Sequence, residues 1–517
     1  MSDNHLLATG LQDIVIGLVA PIGTDLDPVC RALANSFDRL GYSSHQVRLS
    51  SQLDEVREPF QLDLNYANEQ ERYEKYMTAG NVFRSAMGRG DALSMVAVGA
   101  IREFRKKSDS KKHAFILRSL KHPDEVKSLR NIYGPAFVLF SLASGRTARV
   151  RHLAKKICKT NQLFDSSEFL PVAEQLINRD QQEPHDRMGQ KVSKVFHLAD
   201  FFIDVDYGME QAVKRLVELF LGNVFITPTR SEQGMFLAHA SSWRSASLQR
   251  QVGAVIATPD GNVISVGTNE APKPGGGLYW EGDSPDFRDF QRGGEINDDM
   301  KYRMFVEVVQ RILRSGMCHP KKDDGSEHEL AGENDAQKIA EWLIKNEYMD
   351  NTRILSVIEF GRCVHAEMAA LMDAARRGAA VNNSILFSTT FPCHECARHI
   401  VAAGIKKVYY IEPYPKSLVN ELYPDSIRIE GEECGGFVSF VPFVGVAPRR
   451  YQDVFRLGDI DRKDLVTFAH NWKAEVANPR LGEYPSRTQK INMATEKAAF
   501  EEFSLQFEGI TNGINRT

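Results

Sequence analysis

The chain has 517 residues, room for two to four domains at ~150 residues each, and its 42% hydrophobic and 26% charged content is that of an ordinary globular protein. A net charge of -4 excludes a global electrostatic drive toward nucleic acid or an anionic membrane surface. No run approaches the ~18 apolar residues of a membrane span, and Met1-Ser2-Asp3-Asn4-His5 does not open a signal peptide, so a cytoplasmic protein without membrane contact is expected. Seven cysteines, an odd number without framework spacing, suit a reducing compartment.

Residues Leu11 to Ala20 read as an apolar strand, Pro21 to Asp25 as a glycine-containing turn, and Asp27 to Leu40 as an amphipathic helix. A strand, a glycine turn and a helix N-terminus in succession can cradle a phosphate, which makes Gly17, Gly23 and Thr24 nucleotide-binding candidates. Set against G-x-x-x-x-G-K-[ST], however, Ala20 and Asp25 take the glycine positions, Leu26 the lysine and Asp27 the hydroxyl residue. The loop therefore lacks the group that ordinary ATP hydrolysis needs. A held phosphate and a purely structural turn both remain open.

Helical patterns over 80–88 and 92–104 and apolar strands at His113–Leu117, Gly134–Phe140 and Phe201–Val205 continue an α/β alternation, which predicts a parallel sheet with helices on both faces. Arg105 to Lys112 reads as a solvated charged loop. The basic helix Arg146 to Lys159 presents Arg149, Arg151, Lys155 and Lys156, either as an exposed face or toward phosphate or RNA. Gly222 to Thr229 reads as a hinge.

After a helix at Ser231–Ser242, the strands at Gln251–Ala257 and Val263–Gly267 flank the turn residues Pro259-Asp260-Gly261-Asn262 and predict a hairpin leading to Asn269. A long insertion follows, about 273–362, with helical stretches at Met300–Arg314 and Ala336–Glu347. Within it Cys318-His319 is a candidate for a second metal, without a C-x-x-C partner nearby.

Cys363-Val364-His365-Ala366-Glu367 then opens an apolar helix, Ser384–Thr390 reads as a buried strand, and Pro392-Cys393-His394-Glu395-Cys396 begins another helix. One imidazole, two thiolates and a carboxylate that is not itself a ligand are the inventory of a catalytic zinc with an open position. H-x-E followed by P-C-x-x-C is the signature of zinc-dependent base deaminases. His365, Cys393 and Cys396 are thus the expected Zn2+ ligands and Glu367 the proton shuttle, while His394 and Glu395 read as spacers. Arg244, Thr390 and Arg449 are nominated for substrate binding, Arg449 with Arg450 as a clamp for a phosphate tail.

The predicted fold class is α/β. An N-terminal P-loop kinase-like parallel sheet with flanking helices spans 1–226, a cytidine deaminase-like three-layer α/β/α domain 227–470, and a helical, polar extension 471–517. Leu120-Lys121-His122-Pro123-Asp124-Glu125-Val126 with Leu129, Arg130, Tyr133 and Gly134, Gln251-Val252-Gly253-Ala254, and the two zinc motifs together resemble the bacterial anti-phage dCTP deaminases over essentially the full length. The resemblance implies conversion of dCTP, and often dCMP, to uracil nucleotides, draining the pool a phage needs. It further implies an inhibitory small RNA as partner, and the resemblance of the second half to the deoxycytidylate deaminases implies Asn269 as a sugar contact; a nucleotide at the P-loop turn, read from its own residues, and a homo-oligomer are also expected. Three alternatives stay open: a housekeeping dCMP deaminase of thymidylate supply, a nucleic-acid deaminase, which would need a basic single-strand channel, and a sensor that binds nucleotide without turnover.

Overall fold

The computed structural model describes residues 13–108, 112–181, 188–316, 333–346, 348–349, 352–414, 417–429, 435–457 and 489–514. Cys318 and His319 lie outside them.

The first half alternates as the apolar pattern predicts. β1 (Ile14–Val19), α1 (Leu26–Asp38) and β2 (Ser43–Arg48) are followed by α2 (Glu69–Met87), α3 (Ala92–Lys107), β3 (His113–Arg118), α4 (Pro123–Tyr133) and β4 (Phe137–Ala143). Then come α5 (Arg146–Thr160), α6 (Leu170–Gln181), α7 (Val192–Phe196), β5 (Phe201–Asp204) and α8 (Met209–Phe220). β1, buried at all six positions, reads as a continuous apolar run because helices cover both faces of the sheet. β1 through β5 pair in parallel, in the order β5-β4-β1-β3-β2.

The second half comprises α9 (Arg230–Ser242), β6 (Gly253–Ala257), β7 (Val263–Thr268), α10 (Ile296–Arg314), α11 (Glu333–Lys345), α12 (Ala366–Arg376), β8 (Ile385–Thr390), α13 (His394–Ala402), β9 (Lys407–Glu412), α14 (Val419–Leu422), β10 (Ile427–Ile429) and β11 (Val438–Pro442). The predicted hairpin β6–β7 is antiparallel, and β8 runs antiparallel to β6 but parallel to β9, giving the order β10-β11-β9-β8-β6-β7. Side chains alternate across this sheet: Val255 and Phe387 pack with Met235 and Ala238 of α9, whereas Ala254, Ile256 and Leu386 pack with Ala366, Ala370, Ala397 and Ile400 of α12 and α13. The molecule is thus mixed α/β, with two sheets dominated by parallel pairing. α10 and α11, from the long insertion, form their own small cluster around Phe305, Val309, Ala336 and Ala340.

Two stretches late in the chain return to the first sheet. β12 (Gly445–Val446), followed by α15 (Pro448–Phe455), adds antiparallel to β5. The buried Glu232 of α9 fastens this junction, accepting from Val446 N at 2.9 Å and from both Arg215 terminal nitrogens at 2.8 Å. α16 (Gln489–Ile514) lies against α2, α3 and α4, where Arg105 bridges Asp13 at 2.7 Å and Glu496 at 2.8 Å. Among the described residues no helix is long and apolar enough to cross a membrane.

Candidate active site

Two helix starts converge on one edge of the second sheet. α12 lies on β7 at a separation only glycine permits, since a Cβ on Gly267 would come within 2.0 Å of the Ala366 carbonyl oxygen. That contact sets His365, the residue capping α12, with extended backbone at φ -67° and ψ 155°. Cys393 stands at the same position before α13 with the same extended backbone, and there the side chain also caps, its sulfur accepting from Cys396 N at 3.4 Å. β8 runs between the two helices and aims Ser388 at Glu367.

His365 Nδ1 stands 3.2 Å from Cys393 Sγ and 3.4 Å from Cys396 Sγ, and the three donor atoms lie within 4.8 Å of one another. Zinc–nitrogen and zinc–sulfur bonds of about 2.0 and 2.3 Å meeting at a tetrahedral angle would separate N from S by about 3.5 Å. The donor set and its spacing therefore fit zinc with a slight opening of the triangle. Both cysteines are buried and His365 is half-buried, so the group opens toward solvent on the imidazole side. Glu367 Oε2 lies 3.3 Å from Cys396 Sγ while Oε1 accepts from Ser388 Oγ at 2.9 Å. The carboxylate is beside the donor triangle and held from its far side.

Electrostatics inside the group are mutual. A hydrogen bond with Cys393 raises the His365 imidazole to about 9 against the pull of burial. Hydrogen bonds from Cys396 and then His365 bring the Cys393 thiol down to about 4, although burial opposes them. Burial drives Cys396 well above the ordinary thiol value, and burial likewise raises Glu367, with Cys393 adding to the shift. Desolvation beside a thiolate therefore favours the protonated form of this carboxyl group more than water would, the direction expected of a group that carries a proton in the reaction.

The other nominated residues fall in several places. Asn269 is buried and uses its side chain on the backbone of the preceding loop, accepting from Val252 N and donating to the Arg250 carbonyl, both at 2.7 Å. One Nδ2 proton and one oxygen lone pair remain for another partner. Thr390 is buried at the end of β8, two residues beyond Ser388. Arg244 lies with its guanidinium 3.5 Å from the centre of the Trp280 ring and donates to the Tyr279 carbonyl at 2.9 Å. Arg449 is not brought to the zinc group: it meets Asp200 at 3.3 Å and the Leu198 carbonyl at 3.1 Å, both in the first half. Nor does Gly17 join Gly23 and Thr24. It lies inside β1, where a Cβ would strike Leu120, Leu139 and Phe137, whereas Gly23 and Thr24 form the turn after the strand.

Three partners of the site escape a reading of the motif alone. Ser388 looks like one more residue of a buried strand, and only its register against α12 gives it a role. Glu270 is buried and orders the loop after the hairpin, accepting from Ala246 N at 3.0 Å and Ala271 N at 2.9 Å. Asp289, from the insertion, accepts from Arg362 at 2.5 Å and lies 3.4 Å from Cys363, tying the inserted segment to the approach of the zinc helix. Glu359 gathers with His394 and Glu395 as a second group of donor atoms beside α13.

Residues 228–412 match the family model of the cytidine and deoxycytidylate deaminase zinc-binding region. The deoxycytidylate deaminase of Enterobacteria phage T2 is 35% identical over 78 residues, covering 15% of this chain and 33% of the phage protein. ComE operon protein 2 of Bacillus subtilis (strain 168) is 40% identical over 53 residues, 10% of this chain and 28% of that protein. The chain thus spans about a third of the length of the curated relatives it matches. A solved structure of dCMP deaminase from the cyanophage S-TIM5, in complex with dCMP and dUMP, aligns over 42% of this chain and 98% of that one at 19% identity and a TM-score of 0.22. By the family-model match, the second half carries a deoxycytidylate deaminase-type, zinc-binding domain.

Proposed function

We propose that the chain hydrolytically deaminates the cytosine ring of deoxycytidine nucleotides, dCTP and also dCMP, releasing the uracil nucleotide and ammonia. The observation that carries this reading is the buried Glu367 carboxylate set 3.3 Å from Cys396 Sγ, beside the His365–Cys393–Cys396 triangle and outside it. His365, Cys393 and Cys396 are the residues that would hold zinc, whose bound state supplies Lewis-acid activation of water near neutral pH. Glu367 takes a proton from the attacking water as oxygen bonds to C4 and passes it to N3, then takes the second proton from the C4 hydroxyl and passes it to the amine, which leaves as ammonia as the C4–N bond breaks and the C4 carbonyl forms. Ser388 fixes the Glu367 carboxylate through Oε1, leaving Oε2 for that exchange. Asn269, with spare hydrogen-bonding capacity, and Arg244 and Thr390 are proposed on the substrate's side of the site.

The dCTP preference, the emptying of the nucleotide pool as antiviral defence and a restraining small RNA rest on the likeness of the whole chain to the anti-phage deaminases. A cytoplasmic homo-oligomer belongs to the same proposal. The names of the relatives favour a second reading, a dCMP deaminase serving thymidylate supply. Side-by-side steady-state turnover of dCMP, dCTP and CTP by the zinc-loaded protein separates them. A kcat/KM for dCTP at least equal to that for dCMP is expected. Turnover of dCMP alone would select the second reading, and turnover of none would end both.

A further inference from the structure

The first half has a site of its own. The chain runs from β1 outward to β2 and β3 on one side, then crosses to β4 and β5 on the other, so β1 is the strand about which the order reverses. In open parallel sheets, the crevice at the carboxyl ends of the strands at such a reversal is where ligands bind. Here that crevice is a cavity of about 180 Å³ between the turn after β1, the end of β2, α2 and α5.

Its chemistry is that of an anion site. Six Arg and Lys side chains and four Asp and Glu side chains line it, an excess of two positive charges. Arg48 is exposed at the end of β2, near enough for its charge to act on Asp27. Arg118 donates to Asp27, and Lys156 reaches in from α5. Thr24 Oγ1 is buried in the turn without a hydrogen-bond partner among the described residues. Tyr73 and Tyr76 supply an aromatic wall, with the Arg72 guanidinium 4.5 Å from the Tyr73 ring centre.

The innermost seat already holds an oxyanion belonging to the protein. Asp180, fully buried, accepts from Ile22 N at 2.7 Å and from Lys121 Nζ at 2.7 Å. A turn amide and a lysine are what would otherwise grip a phosphate. The lysine position of a phosphoryl-transferring loop is taken by the buried Leu26.

We propose that this cleft binds a nucleoside phosphate without cleaving it, the phosphate resting outside Asp180 on Arg48, Arg118 and Lys156 beside the Thr24 hydroxyl, and the base against Tyr73 and Tyr76. The site is separate from the zinc group and independent of the deamination reading.

Calorimetric titration of the full chain with ATP, GTP, dATP, dGTP and inorganic tripolyphosphate tests it, because none of these is a substrate or a product of the proposed deamination. At least one nucleotide binds saturably, at least tenfold more tightly than tripolyphosphate. Arg48→Ala weakens it tenfold or more, Thr24→Val weakens it measurably, and Glu367→Ala leaves it unchanged. Arg48 is exposed, so its loss leaves the fold intact, which a circular dichroism melt confirms. No binding at millimolar nucleotide, binding indifferent to both cleft variants, binding lost in Glu367→Ala, or tripolyphosphate binding as tightly as any nucleotide would each overturn the proposal.

Discussion

The chain passes from a parallel strand through a proline-containing turn into a helix at Pro21–Asp25 and again at Pro392–Cys396, and the two corners are finished in opposite ways. At the first, Asp25 caps α1, its Oδ1 accepting from Asp27 N at 3.1 Å, and the carboxylate of Asp180 takes the turn amide. At the second, the cap is a thiol: Cys393 Sγ accepts from Cys396 N and faces His365 Nδ1. Hard oxygen caps satisfy the backbone amides of the corner without a metal. Sulfur caps make the helix start part of a donor set whose charge is balanced when a metal is present. The same local architecture therefore yields a quiet corner or a reactive one according to the atom at the cap.

The largest effect should come from the reactive corner. Glu367→Ala is expected to lower deamination of its best nucleotide by about 10²–10⁴-fold, the range of a lost general acid–base group, while the zinc content measured by elemental analysis stays near that of the parent. Cys396→Ser should lose zinc and activity together. Retention of full zinc in that variant would show that Cys396 is not a ligand.

Next in size is the pH dependence of zinc uptake. The imidazole binds metal only when neutral, and in the metal-free group it holds its proton up to about 9. Below that value zinc must expel the proton, and a second from Cys396, whose thiol is also raised. Apparent zinc affinity should consequently fall as pH falls from 9, by about tenfold per unit for each proton expelled. Cys393, lowered to about 4, joins only in acid. Competition with a chromophoric chelator between pH 6 and 9 reads this slope, and a flat profile would contradict the protonation states assigned to the group.

How much of this was legible in the sequence depends on whether a property is local. The zinc motifs were readable because capping, helix phase and donor identity all sit within a few adjacent residues. β1 and the hairpin declared themselves by apolar runs and turn residues. Ser388 did not, because its role depends on which residue of β8 faces α12, a matter of register. Arg449 read as a phosphate clamp from its neighbour Arg450, yet β12 joins the first sheet through a two-residue antiparallel pairing too short to leave a pattern, and carries Arg449 to Asp200. Asp180, on α6, lies far along the chain from the turn whose amide it takes, so the local sequence of that turn could not show it filled.

Ser388→Ala measures how far this long-range placement matters. Removing the hydroxyl leaves Glu367 beside the metal group and frees its orientation, so activity is expected to drop about 10–100-fold, in the range for partners that orient a metal site. The loss should appear in kcat with KM little changed, and Ser388→Thr should recover part of it. Equal losses in kcat/KM and in thermal stability would instead mark Ser388 as a packing residue.

The smallest expected effect belongs to the quiet corner, and it is nearly nothing. Phosphoryl transfer needs a cation that follows the charge on the migrating phosphate. Leu26 offers none, and Lys121 is engaged with Asp180 and the Ala20 carbonyl. With magnesium present, ATP hydrolysis by the full chain should therefore stay at the uncatalysed background. Asp180→Asn removes the internal oxyanion and releases the Lys121 ammonium, so nucleotide should bind more tightly, but hydrolysis should remain at background because Leu26 is unchanged. Appearance of robust ATP turnover in the parent, or its creation by that single substitution, would mean the first corner is a masked version of a catalytic loop and would erase the distinction between the two corners.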